Sequence, residues 1–151
     1  EIGFIMRGEI IWQKSKGANA NFAWGSWLSA SNPVIRDIHE YCLVFSKDSM
    51  KNSSGGKSTI EKDEFMESTL SIWNITPEKA KKIGHPAPFP VELPKKFINL
   101  YSFKDDLILD PFIGSGTTAV ASKLLKRKYV GYEINKNYIE IANNRLKMET
   151  S

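Results

Sequence analysis

One nine-residue stretch limits the fold of this chain more than any other: Asp110-Pro111-Phe112-Ile113-Gly114-Ser115-Gly116-Thr117-Thr118. It directly follows the apolar run Leu107 to Leu109. It opens a segment, Thr117 to Leu125, whose apolar residues Ala119, Val120, Leu124 and Leu125 recur at helical spacing. The stretch therefore reads as a tight turn from a buried strand into a helix. Gly114 and Gly116 permit a sharp reversal and a close backbone approach to a ligand. The helix N-terminus beyond them presents N–H groups that no helical carbonyl can satisfy. A second strand, Tyr129 to Tyr132, leads into Gly131-Tyr132-Glu133, with its acid 23 residues past Asp110. A carboxylate at such a strand end can accept hydrogen bonds from both hydroxyls of a ribose.

The surrounding pattern agrees. Asn137 to Met148 is helical, with Ile139, Ile141, Ala142 and Leu146 apolar, so the last third reads β-α-β-α, the order of a parallel, doubly wound sheet. The turn is not a phosphate-binding P-loop, because no Lys-Ser or Lys-Thr follows at the required spacing. It is not a nicotinamide fingerprint, because the third glycine is absent. Ahead of it, His85 to Pro90 holds three prolines and is extended, and Val91 to Tyr101 is helical with Pro94 tolerated in the first turn.

The first third reads as two strands, Gly8 to Lys14 and Glu40 to Phe45, joined by a polar and aromatic loop of about 20 residues, long enough to suggest function. From Ser46 to Thr59 aliphatic residues vanish and Gly55-Gly56 appears, the composition of a linker or exposed loop. Residues 60–84 hold a weak helix (Lys62 to Ser68), a short apolar run (Leu70 to Ile75) and a Pro-initiated turn (Thr76 to Lys82). The expected division is 1–47, the C-terminal part of a catalytic subdomain; 48–84, a linker and short target-recognition region; and 85–151, a cofactor-binding subdomain.

Composition adds little. Twenty-one Lys and Arg against 17 Asp and Glu give a net charge of +4, compatible with a polyanionic partner without establishing one. The single cysteine, Cys42, excludes an internal disulfide and sits in an apolar run, as a small core residue does. No apolar stretch approaches the roughly 18 residues of a membrane span and no secretory pattern is present, so a cytoplasmic location is expected. The chain opens on Glu1, Ile2, Phe4 and Ile5, as the interior of a longer polypeptide would.

From His85 to Arg145 the chain resembles, motif for motif, the permuted (beta-type) DNA amino-methyltransferases of restriction-modification systems. The matching segments are His85-Pro86-Ala87-Pro88-Phe89-Pro90, then Glu92-Leu93, Asp110 to Thr118, and Gly131 to Glu133. Upstream, Trp24-Gly25-Ser26-Trp27, Asn32-Pro33, Arg36 to Glu40 and Leu43 to Lys47 are similar to that family too. The resemblance implies an α/β, Rossmann-like S-adenosylmethionine-dependent methyltransferase fold, with two central strands missing from this chain. It implies that Gly114, Ser115, Gly116 and Thr117 approach the methionine part of S-adenosylmethionine, and that Asp110 and Phe112 shape the pocket. Glu133 would bind the ribose and Tyr132 would flank the adenine, while His85, Pro86 and Phe89 would close the methionine end. Phe89 is read equally well as core packing, and His85 as a plain loop histidine.

The partner implied is DNA. Trp24 and Trp27 either contact it or anchor their own loop. Lys14, Lys16 and Arg36 either meet phosphates or are solvated charges, and the cluster Arg36, Asp37, His39, Glu40 reads more simply as a local ion-pair network. The family's catalytic Asp- or Ser-Pro-Pro-Tyr tetrapeptide is absent, since the sequence contains no Pro-Pro pair. In the family it ends the strand beside the cofactor strand. Three alternatives then stand: the chain belongs to a longer polypeptide, a second chain supplies the missing strands, or the two N-terminal strands close against Leu107 to Leu109. The enzyme reading is methyl transfer from S-adenosylmethionine to cytosine N(4) or adenine N(6). The alternatives are an inactive cofactor- or DNA-binding remnant and a methyltransferase for RNA or a small molecule.

Overall fold

A computed structural model of the chain describes residues 3–14, 27–28, 32–78 and 89–148. Strand β1 (Phe4–Gln13) pairs antiparallel with β2 (His39–Lys47), from Phe4 against Lys47 to Gln13 against His39. The register shifts between Met6 and Gly8, a bulge at Arg7 that lets β1 begin four residues before the expected Gly8. After helix α1 (Lys62–Ser68), the apolar run expected from Leu70 to Ile75 contributes β3 (Ile72–Asn74). β3 pairs parallel with β1 from Ile11 to Gln13, giving the order β2-β1-β3.

Ile10 and Trp12 on β1 meet Trp73 and Ile75 in one buried cluster. Helix α2 (Glu92–Tyr101) covers this cluster with Leu93 and Phe97, the Phe97 ring lying 4.7 Å from that of Trp73. Cys42 packs against the same cluster, and burial followed by the Glu40 charge raises its thiol pKa. Trp12 Nε1 donates to the Ile75 carbonyl at 2.8 Å, whereas Trp73 Nε1 is buried with no acceptor among the described residues.

The rest of the chain follows the expected β-α-β-α order. β4 (Leu107–Asp110) and β5 (Lys128–Gly131) are parallel neighbours, connected by α3 (Thr117–Leu124) and followed by α4 (Lys136–Met148). α3 is buried along Ala119, Val120, Ala121 and Ser122. Such small side chains let it sit close to α2, β5 and α4. Asn135 Oδ1 accepts the Asn137 N–H at the start of α4, and Arg145 and Lys147 occupy its last turn, where the helix dipole favours cations.

Two expectations are corrected here. β4 is not a buried strand: Leu107 and Leu109 are 63% and 61% exposed, because β4 pairs with β5 on one edge only and no described element covers the face carrying these two leucines. Nor do the N-terminal strands close against it. Among the described residues, β1 and β2 pair with each other and with β3, and no strand pairing joins the two sheets.

The two sheets are connected instead by α2 and by Arg127. The buried Arg127 guanidinium donates to Ser102 O and Oγ, Thr59 Oγ1 and Leu125 O, all neutral oxygens. Burial lowers its pKa from the usual arginine value, partly offset by Asp106 and Asp105. Asn99 extends the connection, donating to Glu64 Oε1 of α1. No described helix is long and apolar enough to cross a membrane.

The unequal satisfaction of the two core indoles gives a prediction. Trp12→Phe and Trp73→Phe remove similar volume, but only the first strands a buried carbonyl. Trp12→Phe is expected to destabilise the chain by about 1–3 kcal/mol more than Trp73→Phe in urea unfolding. Equal losses would contradict the hydrogen-bond assignment.

Candidate functional site

Because β4 and β5 are adjacent and parallel, their C-terminal ends deliver Asp110 and Gly131 to the same edge. The chain reverses there through a compact set of backbone bonds. Asp110 Oδ1 accepts the Phe112 N–H at 3.0 Å, a local turn that begins the reversal. The Ile113 N–H reaches Tyr132 O at 3.0 Å, Tyr132 N–H reaches Asp110 O at 3.0 Å, and Gly116 N–H reaches Ile113 O at 2.9 Å. The turn is thus bonded to the segment beyond β5 as well as to itself.

Gly116 is fixed by two constraints at once. Its φ is +82°, and a Cβ there would lie 2.7 Å from Ala142 Cβ and 3.0 Å from Ala142 Cα on α4. Gly131 answers a second close approach, since a Cβ would stand 2.9 Å from Ile113 Cβ. The spacing of the two motifs carries both requirements, although their cause, helix α4 and the Ile113 side chain, is visible only in three dimensions.

Glu133 closes the arrangement. Its Oε2 accepts the Gly114 N–H at 3.1 Å and its Oε1 accepts the Asn135 N–H at 2.8 Å. Each carboxylate oxygen retains acceptor capacity beyond these bonds. Around it stand three apolar side chains turned to solvent: Phe112 at 88%, Tyr132 at 64% and Ile134 at 100% exposure. A cavity of about 280 Å³ opens beside Tyr132 and Glu133, lined also by Ile113, Ile139 and Asn143 among others. Among the described residues, no group of three or more His, Cys, Asp or Glu is placed to hold a metal ion.

The structure brings Asp110, Phe112, Gly114, Ser115, Gly116, Thr117, Tyr132 and Glu133 together. Ser115 and Thr117 turn their side chains inward: both are buried, and their hydroxyls accept from Arg145 of α4. Phe89 packs against the Trp12–Trp73 cluster. His85, Pro86, Trp24 and Lys16 lie outside the described residues. Trp27 is exposed, and Arg36 is exposed on the segment leading into β2. Lys14 forms an ion pair with Glu40, and His39 meets the Tyr41 ring edge-on at 4.9 Å, so part of that charged cluster is a local network. Motif reading missed two residues. Ile134 was legible as an apolar residue directly after the acid, whereas Arg145 carries no sequence signal that distinguishes it from any other helical arginine.

Gly116→Ala is expected to lower stability by at least about 2 kcal/mol, from left-handed strain and the Ala142 contact together. Ala142→Gly should relieve the contact and leave the strain. A double-mutant cycle by thermal or urea unfolding should therefore show favourable coupling between the two substitutions. Strict additivity would mean that the helices do not meet at this point.

Comparison with known proteins matches these features. Residues 1–144 match the N6/N4 methyltransferase family, described as DNA methylase. The type II methyltransferase M.MjaI of Methanocaldococcus jannaschii is 32% identical over 157 aligned positions, covering 97% of this chain and 50% of the relative. The orphan methyltransferase M.BamHII of Bacillus amyloliquefaciens is 52% identical over 84 positions, covering 52% of this chain and 32% of the relative. The crystal structure of TTHA0409, a putative DNA modification methylase from Thermus thermophilus complexed with S-adenosyl-L-methionine, superposes with a TM-score of 0.77 at 28% identity, covering 97% of this chain and 55% of that one. The chain thus spans about half the length of the relatives it matches. Its parallel β4–β5 pair, glycine turn and terminal acid are those of an α/β, Rossmann-like methyltransferase fold, and the chain belongs to the DNA methylase family.

Proposed function

We propose that this chain forms the S-adenosylmethionine-binding part of a site-specific DNA methyltransferase whose target is an exocyclic amine, cytosine N(4) or adenine N(6). The observation that carries the reading is the Gly114 N–H bond to Glu133 Oε2. It joins the glycine turn to the strand-end acid across two adjacent parallel strands. The residues fit the cofactor. The Glu133 carboxylate has acceptor capacity left for ribose hydroxyls, exposed Phe112, Tyr132 and Ile134 offer apolar surface to a purine, and the first amides of α3 offer donors to a carboxylate. Bound there, S-adenosylmethionine would supply an electrophilic methyl group on its sulfonium.

This chain's own residues bind and orient; they do not include the Pro-Pro-Tyr type element that would hold the amine. We place that element on another polypeptide segment, in the same protein or from a second chain, paired along the open edge of β4. The exposed Leu107 and Leu109 and the half-length match to relatives support this. Trp27 and Arg36, both exposed, are the described residues offered to DNA, while Lys14 would have to exchange its Glu40 partner for a phosphate.

Calorimetric titration of the 151-residue chain should show saturable S-adenosylmethionine binding. Glu133→Ala is expected to weaken it by about 10- to 100-fold, the range for hydrogen bonds to a charged group. Methyl transfer to DNA should be absent until a segment bearing the tetrapeptide is added. Binding that Glu133→Ala leaves intact would move the ribose site elsewhere, and transfer by the chain alone would overturn the assignment of the missing element.

A further inference from the structure

Arg145 lies near the C-terminal end of α4, 30 residues beyond Ser115. Its Nη1 stands 2.8 Å from the Ser115 carbonyl oxygen, 3.0 Å from Thr117 Oγ1 and 3.2 Å from Ser115 Oγ. A nitrogen with two hydrogens thus addresses three oxygens of the turn, one hydrogen being shared. Ser115 and Thr117 are both buried, so water does not supply these bonds.

Electrostatics alone would not put a cation here. α3 begins at Thr117, and the N-terminal end of a helix dipole disfavours positive charge. What a guanidinium adds is planarity: all three contacts come from Nη1, whose two N–H directions are fixed by the plane of the group. The Ser115–Gly116 peptide is consequently held from both sides, its carbonyl by Arg145 and its N–H by Ile113 O at 2.9 Å. The first intrahelical bond of α3 is Val120 N–H to Gly116 O, so the amides just before it are those that helix geometry leaves for a ligand. Fixing the peptide that leads into them fixes their direction.

We propose that Arg145 is a positioning residue for the cofactor turn: it orients the Ser115–Gly116 peptide so that the turn needs no rearrangement when the cofactor binds. The proposal rests on the cofactor reading above. Lys123 supplies an internal control. Its Nζ donates to the Leu146 carbonyl at 2.7 Å, linking the same two helices without touching the turn.

The test uses the 151-residue chain with Arg145→Ala, Arg145→Lys and Lys123→Ala. Two readouts are taken: amide hydrogen exchange across residues 114–118 without ligand, and the calorimetric Kd for S-adenosylmethionine. Arg145→Ala is expected to speed exchange in the turn and weaken binding by about tenfold or more. Millimolar methylguanidinium should restore much of both. Arg145→Lys, which keeps the charge but not the fixed planar N–H directions, should stay close to the alanine variant, and Lys123→Ala should lower Tm while leaving both readouts near wild type. The proposal is overturned if Arg145→Ala moves neither readout, moves them no more than Lys123→Ala does, or gains nothing from methylguanidinium. A wild-type chain that binds no cofactor would defeat the cofactor reading, and the exchange measurement would then decide the role of Arg145 by itself.

Discussion

The reversal between β4 and α3 depends on a missing Cβ. Gly116 takes a left-handed φ and lets α4 come within contact of the turn at Ala142. If α4 stood a methyl group further away, Arg145 would not reach Ser115 and Thr117, and the wall formed by Ile139 and Asn143 beside Glu133 would retreat with it. The two parallel strands bring the acid to the turn, but helix packing sets the depth of the site. Stability and binding geometry share one contact here, which is why a small change at Gly116 cannot be confined to either.

The polarity of the site follows from the same packing. The side chains of Ser115 and Thr117 face α4 and are held there by Arg145, and the whole turn from Gly114 to Thr117 is buried. Glu133 supplies its carboxylate, and Phe112, Tyr132 and Ile134 supply the apolar rim. Peptide groups and one carboxylate would hold a ligand through direction more than through charge.

Much of this was legible in the sequence because the local signals were dense. Asp110 to Thr118 and Gly131 to Glu133 determined the turn, both strands and both flanking helices, and Pro94 within α2 sat where a first turn accepts proline. β3 was harder. Ile72–Asn74 is three residues long, too short for a period to show, and its pairing with β1 is parallel and distant in sequence. The exposure of Leu107 and Leu109 was invisible for another reason: an apolar strand reads as buried whether or not its neighbours are present. Arg145 and Arg127 were missed because a half-buried or buried guanidinium with neutral partners looks, in sequence, like any charged surface residue.

The bonds of Lys57 and Thr59 have a further consequence. Lys57 O accepts the Lys104 N–H and Thr59 accepts from Arg127, both just before the strands begin, while the glycine turn lies beyond their far ends, roughly 13 Å away for a four-residue strand. Arg7 holds the other limb at Ser46 and Met50. Residues 52–55 are exposed between these two anchor points. Loop closure grows only logarithmically with length, about 0.6 kcal/mol per doubling. Inserted sequence at this apex would therefore be thermodynamically cheap and mechanically insulated from the glycine turn, so that the loop can change in size over evolution or by engineering while the opposite end of the sheet keeps its shape.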